Sequence, residues 1–149
     1  MSDLASQPPH QFCSSLPVHL TAIEAALEEL QGWMSAAGVP MGVVTRMGLA
    51  LDELLTNIIT HGYNQSTSDT ISIEAQIEAN RLQVVLTDFG IAFDPLQADP
   101  PDLSLSLEER EIGGLGIHFA RQVVDGMRYL RLSKPNGKDA NQLTLTKTI

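Results

Sequence analysis

Apolar residues recur at three- and four-residue steps twice in the first half of the chain, then at two-residue steps in the middle. Leu20, Ile23, Leu27, Leu30 and Met34 predict an amphipathic helix running to about Ala37, with Pro17 in its first turn and Ser15 close by as a cap. Gly38-Val39-Pro40 breaks it. Val43, Met47, Leu51, Leu54, Leu55 and Ile58 supply the buried side of a second helix from about Met41 to His61, stopped at Gly62. Ile71, Ile73, Ala75 and Ile77 alternate with Ser72, Glu74, Gln76 and Glu78, the pattern of a half-buried strand. Asn80-Arg81 turns the chain, and Leu82 to Thr87 returns beside it. His10 to Leu16 reads as a short edge strand, Ile117 to about Asp125 as a third helix. Two last strands, near Arg128–Leu132 and Gln142–Lys147, flank a turn containing Pro135-Asn136-Gly137. Together these elements predict an α+β fold: a two-layer sandwich with three main helices on one face of a mixed, mostly antiparallel sheet.

Between the strands and the third helix, Asp94 to Ile112 carries three prolines and no strong period. A connection this long in a compact domain is usually functional or mobile. Its second half, Leu103 to Arg110, is expected to form a short helix.

Composition narrows the classes. With 149 residues, 43% hydrophobic and 18% charged, the chain reads as one globular domain over residues 10–149, preceded by a flexible tail at 1–9. No apolar stretch approaches the roughly 20 residues that cross a bilayer, and the first residues show neither a basic leader nor an apolar signal core. Cys13 has no cysteine to pair with and is expected to be a small buried apolar residue. A cytoplasmic location is the default expectation. The formal net charge is −9 and the nine Lys and Arg are scattered, which argues against nucleic acid or an anionic membrane as a direct partner.

Three segments carry candidate chemistry. On the second helix Glu53, Asn57 and His61 follow at four-residue steps, each displaced by roughly 6 Å along one face. Arg46 lies two turns before Glu53. The Asn57 carbonyl oxygen suits Mg²⁺, a hard cation that prefers oxygen, and Glu53 one turn away is placed to take a proton from a hydroxyl or water. The same ridge also reads as the solvated side of an amphipathic helix. Asp88 ends a strand and precedes Phe89-Gly90, so its carboxylate can accept a hydrogen bond from an exocyclic amine while Gly90 leaves room for a flat ring. A plain Asp-x-Gly turn explains the same residues. Gly113-Gly114-Leu115-Gly116 opens a helix, where free amides favour an anion. No Lys-Ser/Thr follows and no parallel βαβ unit surrounds it, so it is neither a P-loop nor a dinucleotide fingerprint, and a hinge into the helix remains the other reading.

Taken together the segments resemble the histidine-kinase-like ATPase superfamily, and within it the small bacterial anti-sigma-factor serine/threonine kinases. Glu53-x-x-x-Asn57 with His61-Gly62 is similar to their asparagine box, and Asp88-x-Gly90-x-x-Phe93-Asp94-Pro95 to their first glycine box. Gly113-Gly114-Leu115-Gly116-Ile117, with Asp125 eight residues on, is similar to the second. The resemblance runs from about Pro17 to the C-terminus. It implies ATP between the helices under a mobile lid at Leu96 to Ile112. It assigns Mg²⁺ to Asn57, the adenine amine to Asp88 and the adenine wall to Gly90, with Phe93 beside the nucleotide. Phosphates fall to Gly113, Gly114, Leu115 and Gly116, and the terminal one is in reach of Arg110, which otherwise reads as a solvated charge. The implied reaction moves the ATP γ-phosphate to a serine of an anti-anti-sigma antagonist protein, with Glu53 as general base, in a protein that also holds a sigma factor. A homodimer is a further implication, without a surface to name. A non-catalytic module that uses ATP to set its protein-binding shape is the alternative. His61 is expected to line the pocket or support the fold rather than accept phosphate, and Trp33 to serve the core or an interface. Asn141 or Thr144 on the last strand is expected near the base, with the register left open.

Overall fold

The computed structural model describes residues 10–63, 67–97, 114–133 and 137–149. Arg110, Gly113, the expected helix at 103–110, nearly all of the expected lid and the tail at 1–9 lie outside them, as does the side chain of Leu115.

Strand β1 (Gln11–Pro17) lies at one edge of a five-stranded sheet. Pro17 belongs to this strand, opposite Thr70, and Ser15 pairs with Ser72, so neither starts a helix. An edge strand tolerates a residue without an N–H, which is why Pro17 fits there. A short 3-10 turn (Leu20–Ala22) leads into α1 (Ile23–Ala36), and Leu20 is exposed instead of sharing the buried stripe. Ile23, Ala26, Leu27, Leu30 and Met34 do form that stripe. Gly38, at φ +91°, ends α1: its N–H reaches Ser35 O at 3.1 Å and the Val39 N–H reaches Met34 O at 3.0 Å. These two bonds close the Schellman arrangement, with Met34 and Val39 both buried.

Helix α2 (Met41–Gly62) starts on Pro40, whose carbonyl accepts the Val43 and Val44 N–H groups at 2.9 and 3.0 Å. Met47, Leu51, Leu54 and Leu55 turn inward, each removal from water stabilising by about 1.5–3 kcal/mol. Strands β2 (Thr70–Glu78) and β3 (Arg81–Asp88) pair through Ala79-Asn80, both at positive φ (49° and 65°). That two-residue turn lies one residue earlier than Asn80-Arg81, because Glu78 pairs with Arg81. Pro95–Gln97 forms a 3-10 turn, followed after the undescribed segment by α3 (Gly114–Val123), β4 (Gly126–Ser133) and β5 (Asp139–Thr148).

The strand order is β1-β2-β3-β5-β4 and all four pairings are antiparallel. Ala75, Val84, Leu145 and Met127 form one row of the face under the helices, and Ile73, Leu86, Leu143 and Tyr129 the next. The row after that is polar: Asp88 opposite Asn141, opposite Arg131. The apolar core therefore ends in a line of hydrogen-bonding groups, and the candidate site lies there. The other face carries Gln11, Gln76, Gln83 and Thr146 in register, and beside them Cys13, Glu74, Val85, Thr144 and Arg128. Cys13 is exposed on that face, contrary to the burial expected of it, because strand alternation gives the inward positions to Phe12 and Ser14. No described helix is long and apolar enough to cross a membrane.

Candidate functional site

The three polar residues of α2 have separate environments. Asn57 is only 6% exposed, and its Nδ2 is buried without a hydrogen-bond partner among the described residues. A buried donor left unpaired costs about 1–3 kcal/mol, so a group like this is more easily understood as waiting for a ligand than as packing. Glu53, one turn earlier, is exposed and lies against Gly116 at the start of α3. His61, one turn later, is exposed and stacks on Phe93, ring centroids 6.4 Å apart and planes 25° from parallel. Arg46 is exposed and does not line the cavity described below.

Asp88, at the end of β3, is 3% exposed. Its Oδ1 accepts two hydrogen bonds, from the Gly90 N–H at 2.9 Å and from Asn141 Nδ2 at 3.0 Å. Burial pushes the Asp88 carboxyl above the usual carboxylate range, while the Asn141 and Gly90 donors and the Arg131 charge pull it back. Next to it the Phe89 N–H donates to Tyr63 Oη at 2.9 Å. Burial, and then the charges of Asp88 and Asp69, push the Tyr63 hydroxyl up to about 12, so it keeps its proton at neutral pH.

Gly90 is required by the end of α2. A Cβ there would stand 2.5 Å from the Gly62 carbonyl oxygen and 3.0 Å from its carbon, while the Ile91 N–H donates to that same oxygen at 3.0 Å. Gly90 thus lets helix and loop touch backbone to backbone, a reason for that glycine that a linear motif does not reveal, whereas a Cβ on Gly62 would meet only the Gly90 Cα at 4.0 Å, an ordinary contact.

Asn57 and Asp88 line one cavity between the layers. Leu54 and Ile58 of α2, Phe93 and Pro95 after β3, and Ile117 of α3 complete its helical side, and Tyr129, Asn141 and Leu143 its sheet side. At about 20 Å³ it has room for no more than about one water, so a flat ring enters only when part of the lining moves. Phe93, 38% exposed and held by the His61 ring, is the lining residue at the rim.

Gly114 and Gly116 lie in the first turn of α3 rather than in a loop before it, where backbone amides lack intrahelical partners. A side chain at Gly116 would overlap the Glu53 carboxylate, its Cβ and its Cδ. Asp125 serves the fold: it accepts the Thr148 N–H at 2.6 Å and pairs with Lys147 at 3.6 Å, tying the start of β4 to β5.

Two groups escaped the motif reading. Tyr129 and Arg131 of β4 both donate to Asn141 Oδ1, Arg131 Nη1 at 3.0 Å, and Arg131 also donates to the Gly90 carbonyl at 2.9 Å. Asn141 faces the cavity and Thr144 the opposite side of the sheet, so only the first of the two β5 candidates reaches it. Parity was the available signal: Asn141 is in step with the buried Leu143 and Leu145, Thr144 is not.

Sequence comparison decides what this arrangement belongs to. The profile of the histidine kinase-like ATPase domain matches residues 16–147. The chain belongs to that family. It is similar to the serine/threonine-protein kinase BtrW of Bordetella bronchiseptica, 31% identical over 66% of this chain and 66% of that one. It is also similar to the serine-protein kinase RsbW of Listeria monocytogenes, 26% identical over 76% of this chain and 74% of that one. In structure it resembles a chain of the SiaB–SiaC complex from Pseudomonas aeruginosa, with a TM-score of 0.61, 12% identity and coverage of 91% and 89%, a likeness of fold.

Membership in the histidine kinase-like ATPase domain family implies ATP as the ligand. The residues fit it: an unpartnered buried amide at Asn57, and across the same cavity a carboxylate whose other oxygen already holds two donors.

Proposed function

We propose that the domain binds Mg-ATP in this cavity and phosphorylates a serine of an anti-anti-sigma antagonist protein, as one arm of a switch in which it also holds a sigma factor. The observation that carries the reading is the pairing of Asn57 and Asp88 across one cavity, with Glu53 one helical turn from Asn57 on the outer side. The names of the relatives, serine and serine/threonine kinases, support phosphoryl transfer. The fold neighbour comes from a two-protein complex, which is in keeping with a protein partner.

In this reading Asp88 accepts the adenine amine and the first-turn amides of α3 at Gly114, Leu115 and Gly116 face the phosphates, with Gly113 and Arg110 extending the cradle. Phe93 covers the nucleotide at the rim. Among the described residues no group of three or more His, Cys, Asp or Glu is placed to hold a metal. Mg²⁺ would therefore rest on Asn57, phosphate oxygens and water, where it neutralises charge on the transferred group. Glu53 takes the proton of the serine hydroxyl as the serine oxygen bonds to the γ-phosphorus and the bond to the β-phosphate oxygen breaks, releasing ADP. The exposure of Glu53 is what a base serving a second protein requires. A cytoplasmic setting and pairing of two copies belong to the same proposal.

The test is incubation with Mg-ATP labelled on the γ-phosphate and candidate antagonists. The expected result is labelled serine, lost in Glu53→Ala while ATP binding persists. ATP binding that alters partner affinity without labelling any partner, in the wild type and in Glu53→Ala alike, would overturn the kinase and leave a nucleotide-set binding module.

A further inference from the structure

The base-recognition end of the cavity contains more than the acceptor itself. Asp88 Oδ1 is occupied by the Gly90 N–H and by Asn141 Nδ2. The Asn141 amide is in turn fixed in orientation. Its Oδ1 accepts from Tyr129 Oη and Arg131 Nη1, and its Nδ2 also donates to the Ile91 carbonyl at 2.8 Å. A guanidinium only donates, so turning the amide over would set NH₂ against N–H on one side and a carbonyl oxygen against the Asp88 carboxylate on the other. Arg131 further holds the Gly90 carbonyl, joining the loop after β3 to the same network.

We propose that Asn141, oriented by Tyr129 and Arg131, is a positioning residue that keeps Asp88 an obligate acceptor and so makes the site select a 6-amino purine over a 6-oxo purine. This rests on the nucleotide reading above. Two donors on Oδ1 favour the ionised carboxylate and leave Oδ2 to receive a ligand donor. The exocyclic amine of adenine supplies one. The carbonyl at the same position of guanine would set lone pairs against lone pairs in a buried place, the kind of mismatch that binding sites reject most strongly. Arg131 acts at a distance from the base, through the amide.

The experiment compares ATP and GTP affinities by calorimetry for the wild type and Asn141→Asp, with Mg²⁺ at fixed concentration. The substitution keeps the shape and replaces the donor by an acceptor, so that the two carboxyl groups must share a proton. The wild type is expected to prefer ATP, and the ratio of the two affinities to narrow by at least about tenfold in the variant. Arg131→Met, a change at a half-exposed position, is expected to narrow it by roughly threefold or more by freeing the amide to turn, and serves if Asn141→Asp does not fold. A structural role alone would weaken both nucleotides equally. A wild type that prefers ATP, with a ratio unchanged in the variants, overturns the positioning role and leaves the nucleotide site standing. A wild type that binds neither nucleotide overturns both.

Discussion

The side chain of Glu53 rests against the bare Cα of Gly116, joining the middle of α2 to the first turn of α3. A methyl group at Gly116 would occupy the space of the carboxylate, so the glycine both opens a helix and admits the proposed general base. Gly116→Ala is expected to displace Glu53 and reduce serine phosphorylation by about tenfold or more, roughly 1.4 kcal/mol in the barrier. Thermal stability should change little, since alanine gains helix propensity while the exposed Glu53 side chain swings into solvent. Initial rates on a purified antagonist, beside a melting curve, check it.

Gly90 makes the opposite kind of contact, with backbone on both sides. Gly90→Ala would drive a Cβ into the Gly62 carbonyl, which cannot rotate away. Separating α2 from the loop after β3 should cost about 1–3 kcal/mol in urea unfolding. An unchanged midpoint would mean that the helix end is not held there.

Asp88 sits in the fold at a cost. Burial is the leading cause of its raised pKa, so the folded state holds its proton more tightly than the unfolded chain does. Between the ordinary value of 3.8 and the raised one, the folded form therefore binds more protons, and stability falls as pH rises through that window. Asp88→Asn, which keeps an acceptor for Gly90 and Asn141, is expected to be more stable than the wild type at neutral pH. The advantage should vanish below the ordinary carboxylate value, while ATP binding is weakened at every pH. Unfolding curves at several pH values, together with a nucleotide titration, test the sign directly.

Ala79 is a non-glycine residue at φ 49°, in a hairpin turn followed by Asn80 at 65°. Its Cβ is strained in that conformation. Ala79→Gly should therefore stabilise the domain by up to about 1 kcal/mol, less whatever the unfolded chain gains in entropy. A loss of stability would show that the turn has another conformation in solution.

Much of this molecule was readable from residue order alone, and for definable reasons. The stripes Ile23–Met34 and Met47–Leu55 and the alternation at Ile71–Ala75 are single-residue patterns, so helices, strands and layer arrangement follow from them. Pro17 misled because its helix-starting preference competes with its tolerance on an edge strand, and only the pairing with Thr70 decides. Cys13 misled because composition gives an average burial and not the face of a particular strand. At the site, local motifs mark Asn57, Asp88 and Gly90, but what surrounds them comes from afar. Asn141 meets Asp88 across β3 and β5, and Gly62 meets Gly90 across a helix end. Such partners are set by register and by close approach, which no short window of sequence contains.

The most direct measurement is a calorimetric titration of Mg-ATP into the wild type, Asn57→Ala and Asp88→Asn. Binding to the wild type, with affinity at least about tenfold weaker in each variant and the Mg²⁺ dependence abolished in Asn57→Ala, is the predicted outcome. Undiminished binding in both variants would contradict the placement of nucleotide and metal in this cavity.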